Sequence, residues 1–162
     1  MIKNHVISSM HLQGCTFIKI FENTFNTIDQ KSLTQDIIYV PAFVINLSFA
    51  CEMFIKCLLI IENSKYDYVH NLKQLFDILP DMLKLNIKSD YKKLVSGKYM
   101  IHLSDFDHQL ELHKRVFHQW RYYFDESVRA NEVDYRFLMY FSLVLRDINY
   151  SMIKLRTNIF EI

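Results

Sequence analysis

Only two glycines and two prolines occur in the 162 residues, and that shortage constrains the fold more than any other feature. Sheet proteins reverse the chain often, and their tight turns draw on Gly and Pro. A chain that has only Gly14, Gly97, Pro41 and Pro80 suits a few long helices joined by short connectors. Hydrophobic residues make up 51% of the sequence, enough for one packed core and too many for disorder. The expectation is an all-α fold: an antiparallel helical bundle of about five or six helices, forming a single domain over residues 1–162.

Apolar spacing places the helices. Ile2 to Phe25 predicts a first helix, bent or frayed near Gly14, followed by a polar connector from Asn26 to Ser32. Leu33 to Glu62 predicts a second, central helix whose regular part begins at Pro41, because proline is tolerated in a first helical turn. Within it Val44, Leu47, Cys51, Phe54, Ile55 and Leu58 form a core-facing stripe. His70 to Leu79 predicts a short third helix ended by Pro80, and Asp81 to Val95 a weaker fourth. Ser104 and Asp105 are capping residues for a helix expected to run to about Ser127. A last helix from about Asn131 carries Leu138, Phe141, Leu145, Ile148, Met152 and Leu155 as a packing seam.

Charge and special residues narrow the function classes. Nineteen basic and eighteen acidic side chains give a net charge of +1, so no global basic excess points to nucleic acid. Cys15, Cys51 and Cys57 form no ligand motif, and their odd number favours a reducing, cytoplasmic setting. The first residues lack the apolar core of a secretory leader. Ile37 to Ile61 is strongly apolar, but Glu52 and Lys56 interrupt it, so a buried core helix is expected and no membrane span. His102, His108, His113 and His118 are spaced by six, five and five residues, and steps of five point successive rings in different directions; no metal is expected. Gly-rich phosphate loops and nucleophile elbows are absent, and no cofactor is implied.

Three segments, in order, resemble the HEPN (higher eukaryotes and prokaryotes nucleotide-binding) superfamily. The apolar helix carries Glu52-x-x-x-Lys56; next comes His70-x-Leu72-x-x-Leu75; Trp120-Arg121-Tyr122-Tyr123-Phe124-Asp125-Glu126 is similar to an aromatic-acidic segment of some branches. The resemblance implies a helical bundle, commonly a homodimer. Many members are ribonucleases or toxins in bacterial defence and toxin–antitoxin systems, while others bind nucleotides, RNA or proteins such as an antitoxin. Active ribonuclease members carry Arg followed by His after about four to six residues. None of Arg115, Arg121, Arg129, Arg136, Arg146 and Arg156 has a histidine at that distance, so the catalytic pair does not carry over. Fold likeness alone licenses no activity.

On one continuous helix, Phe106, Leu110, His113, Phe117, Trp120 and Phe124 would form a buried stripe. Glu111, Lys114, His118, Arg121 and Asp125 would form a polar one. Arg121 then suits an oxyanion clamp, His118 a proton donor or acceptor, and Asp125 or Glu126 an orienting group. Tyr122, Glu126, Glu52 and Lys56 are candidate ligand-site residues. The same residues also fit a solvated helix face, a stacked structural arginine and an intrahelical Glu52–Lys56 ion pair. The leading expectation is a non-catalytic or degenerate binding module. The alternatives are a metal-independent ribonuclease built on His118 and Arg121, and a helical interaction protein unrelated to HEPN.

Overall fold

The structure is a computed structural model that describes residues 2–27, 33–64, 69–96, 103, 105–116 and 133–159. Among these there are six helices and no strand: α1 (Ile2–Thr27), α2 (Leu33–Ile61), α3 (Leu72–Ile78), α4 (Asp81–Ser96), α5 (Phe106–Leu112) and α6 (Tyr135–Ile159). The protein is all-α.

Helices α1, α2 and α6 form the frame. Along α1, Ile7 meets Cys57, Gly14 meets Phe54 and Phe21 meets Phe43, so α1 and α2 run antiparallel. Along α2, Cys51 contacts the Leu138 carbonyl, the Phe54 carbonyl accepts from Asn149, and the Ile61 carbonyl accepts from Arg156. Those pairs rise together, so α2 and α6 run parallel, with α1 antiparallel to both. The α2 stripe from Val44 to Leu58 is fully buried. A helix apolar on several sides must be enclosed on several sides, which is what α1, α3 and α6 do. The stretch Tyr39–Ile61 is long and apolar enough to cross a membrane, but most of it is buried inside this bundle.

Helices α3, α4 and α5 close the other side around an aromatic nucleus. The Phe106 ring lies 5.2 Å from those of Phe76 and Tyr91 and 5.1 Å from that of Phe141. These tilted and edge-on contacts suit the ring quadrupoles. The Tyr91 hydroxyl, buried with its ring, donates to the Leu103 carbonyl at 3.0 Å.

Several boundaries differ from the sequence expectation. Gly14 does not bend α1; a Cβ there would come within 2.6 Å of the Phe54 ring, so glycine permits close approach of two helices. Helix α2 does not begin at Pro41 but runs through it from Leu33. An interior proline costs about 3 kcal/mol. Offsetting it, Phe43 packs against Phe21 at 5.0 Å and Tyr135 at 5.5 Å. The end of α2 is set by Asn63, at φ 55, with Ser64 N–H reaching Leu59 and Asn63 N–H reaching Ile60. That pattern is a left-handed cap that satisfies the final carbonyls. Leu155, expected in the α6 seam, is 64% exposed, because at this level α6 meets α1 and α2 through Met152, Ile153 and Arg156 instead.

The largest departure is in α5. The helix expected to reach Ser127 stops at Leu112, and residues 113–115 form a turn. The phase linking Glu111 and Lys114 to His118, Arg121 and Asp125 therefore does not run along one uninterrupted helix. Helix α6 in turn begins at Tyr135, after Asp134, which accepts the Arg136 N–H at 2.9 Å. Asp134 is thus an N-terminal cap.

Candidate functional site

Glu52 and Lys56 stand one turn apart on α2, so their side chains meet on one face, with Lys56 Nζ 2.7 Å from Glu52 Oε1. Both are buried. Taking this pair out of water is costly, and good geometry with further hydrogen bonds is needed to offset that cost. The further bonds come from His70. Its Nδ1 lies 3.0 Å from each Glu52 oxygen, so the carboxylate grips the imidazole edge with both atoms.

His70 is brought there by the start of α3. Asn71 caps that helix by accepting the Gln74 N–H at 3.0 Å. Leu72 N–H donates to the Lys114 carbonyl at 3.0 Å, tying the same segment to the turn after α5. The cluster therefore joins α2, the α3 entry and, through one backbone bond, the α5 exit. The His70 side chain is 41% exposed, whereas Glu52 beneath it is 2% exposed.

Chemically, a buried carboxylate holding one imidazole nitrogen sets the ring's orientation and favours a proton on that nitrogen. Both Glu52 oxygens are engaged, Oε1 by Lys56 and His70 and Oε2 by His70. A groove of about 750 Å³ lies elsewhere, between α4 and α6, and none of the three cluster residues lines it.

Of the residues proposed from sequence, Glu52 and Lys56 are brought together. His118, Arg121, Tyr122, Asp125 and Glu126 lie outside the described residues, as does Trp120. His70, which opens the second resembling segment, closes the cluster from eighteen positions beyond Glu52.

A second polar knot was visible in sequence only as a histidine on an apolar stripe. His113 is fully buried; its Nδ1–H donates to the Gln109 carbonyl at 2.7 Å and its Nε2 accepts the Asp134 N–H at 3.0 Å. Burial lowers its pKa from the ordinary 6.5, against the opposing pull of the Gln109 and Asp134 carbonyls and the Asp134 charge. The ring is thus a neutral pin between the end of α5 and the start of α6. A buried histidine must find such partners, and that requirement was the available signal.

The cysteines are free and do not form a reactive centre. The Cys51 and Cys57 thiols donate to the carbonyls of Leu138 and Ile7. Burial pushes Cys51 well above its ordinary pKa and Cys57 up to about 12. Cys15 Sγ lies 3.6 Å from His11 Nε2, a His-x-x-x-Cys pair on α1. Among the described residues no third His, Cys, Asp or Glu joins it to make a metal-binding group.

Compared with known protein families, with curated proteins and with solved structures, the chain has no match.

Proposed function

We propose that the chain is a divergent HEPN-like helical module that acts by binding, without ribonuclease chemistry of its own, as a component of a bacterial defence or toxin–antitoxin system. One observation carries this reading. Two pieces of the sequence resemblance, Glu52-x-x-x-Lys56 and His70-x-Leu72, meet in a single hydrogen-bonded cluster. Bundle patterning by chance gives no reason for a buried glutamate to choose that histidine. The missing Arg-to-His spacing supports a binding role over a catalytic one. The balance of 19 basic and 18 acidic residues favours a protein partner, such as an antitoxin, over an extended RNA. Within this reading the module works in the cytoplasm, without cofactor, metal or membrane attachment.

The test is RNA cleavage by purified, folded protein, using mixed cellular RNA in EDTA, with Arg121→Ala alongside. No cleavage is the expected result. Cleavage that survives EDTA and vanishes in Arg121→Ala would overturn the binding reading and establish a metal-independent ribonuclease using His118 and Arg121.

A further inference from the structure

The groove of about 750 Å³ between α4 and α6 takes no part in the Glu52 cluster, and its walls follow from helix periodicity. Leu83, Asn86, Asp90 and Leu94 step by three and four along α4. Val144, Ile148 and Met152 step by four along α6. Each helix thus turns one stripe into the groove, over about 16 Å from Leu83 to Leu94 at 1.5 Å per residue. Leu83 and Val144 are buried at the floor, while Leu94, Ile148 and Met152 are only half-buried. Met82, at the rim, is 70% exposed. An apolar floor left partly open gains when a partner covers it.

The lining is acidic. Glu62, Asp90 and Asp147 face the groove against one ammonium group, that of Lys93. Three carboxylates and one cation leave the lining at a net charge of −2, in a chain whose total is +1. Glu62 is exposed, and its carboxylate has no cationic partner among the described residues. Asp90 and Asp147 are each held through Oδ1 by a neighbour on the same helix, Lys93 at 2.7 Å and Arg146 at 2.9 Å. Such exposed pairs are weak, and each carboxylate keeps lone pairs for a second cation. Arg146 is not part of the lining.

Negative walls select a cationic occupant and repel phosphates. The apolar floor requires that the occupant also be apolar along one side. Two helices bounding a groove suit a third, which packs about 8–10 Å from each and lowers its i, i+3, i+4 and i+7 side chains between them. Resting on the reading of the chain as a binding module, we propose that the α4–α6 groove is the docking site for an amphipathic helix of a partner protein, with lysine or arginine flanking its apolar stripe. About 16 Å takes about three turns of that helix. Its cations meet Glu62, Asp90 and Asp147, and its apolar stripe covers Met82, Leu94, Ile148 and Met152.

The probe is a labelled synthetic helix of about fourteen residues, about four turns, built from leucine and lysine and titrated with the full chain by fluorescence anisotropy. Its counterpart carries glutamate at every lysine position. The lysine peptide should bind in the micromolar range, and the glutamate peptide about tenfold more weakly or worse. Ser151→Arg sets a long cationic side chain in the groove from an exposed position. It should weaken lysine-peptide binding by about tenfold with the circular-dichroism melt unchanged. Glu62→Lys combined with Asp147→Lys should reverse the preference between the two peptides. In methyl NMR spectra the lysine peptide should shift Leu83, Val144 and Ile148 and leave Ile7 in place. No binding of the lysine peptide, binding indifferent to Ser151→Arg, or shifts centred elsewhere would each overturn the docking site. RNA cleavage by a chain that still takes the peptide in the groove would remove the binding-only reading and leave the docking site standing. Neither cleavage nor peptide binding would do the reverse.

Discussion

At the Glu52–Lys56–His70 cluster a buried carboxylate is held by an ammonium group and a partly exposed imidazole. At His113 a neutral imidazole, sealed from solvent, is held by two backbone groups. Both tie the segment leading into a helix to another helix: His70 precedes α3, and Asp134 precedes α6. They do so by opposite electrostatics. The first keeps charge inside the protein and offers one edge to water; the second excludes charge and offers nothing. The contrast separates a place where chemistry or binding can reach the cluster from one whose role is to hold the backbone.

The largest effect should come from breaking the charged cluster unevenly. Lys56→Met leaves Glu52 buried with half its compensation, and a loss of about 3–5 kcal/mol is expected in urea unfolding. The double variant Glu52→Leu with Lys56→Met should recover most of that loss, because no unpaired charge remains. A single variant costing under about 1 kcal/mol would mean the pair behaves as a surface bridge, and the comparison would collapse.

His113→Leu should cost about 1–3 kcal/mol, since the Asp134 N–H loses its acceptor in a dry site. This difference should also depend on pH. With the folded pKa below the ordinary 6.5, the unfolded chain takes up a proton before the native one does. The contribution of His113 is therefore complete above that value and fades as pH falls toward the lowered folded value. The gap between wild type and His113→Leu should narrow from about pH 7.5 to about pH 5.5. His11, also lowered by burial and by Arg146, acts in the same direction in both proteins and cancels. A gap that widens on acidification would show that the ring is charged in the native state.

Smaller changes sharpen the first region alone. Asn71→Ala removes the α3 cap next to His70 and should cost about 1 kcal/mol, with hydrogen exchange quickening at α3 and not at α6. Lys73→Ala breaks an exposed 2.7 Å pair with Asp77. It should change stability by no more than about 0.5 kcal/mol. A larger loss would extend the ionic cluster beyond its three members.

Helix content was legible in the scarcity of Gly and Pro, and the α2 stripe from Val44 to Leu58 could be read from its spacing. Position relative to neighbours was harder. Pro41 reads locally as a helix start, yet the aromatic packing of Phe43 outweighs its cost. Gly14 reads as a weak point, yet it is the contact surface for Phe54. The break after Leu112 carries neither Gly nor Pro, so no local signal announced it; His113 reaches a partner in a later part of the chain. The Glu52–Lys56 pair is visible as an i, i+4 spacing, whereas its third member had to be brought from another segment.

The sequence by itself determined that this chain is helical and that α2 is central, since periodicity and composition act within a few residues of each other. Tertiary structure decided where helices stop, which strained or flexible residues are tolerated, and which polar side chains meet. These outcomes depend on partners far apart in the chain. A cost of a few kcal/mol at one residue is settled by contacts that only the packed bundle supplies.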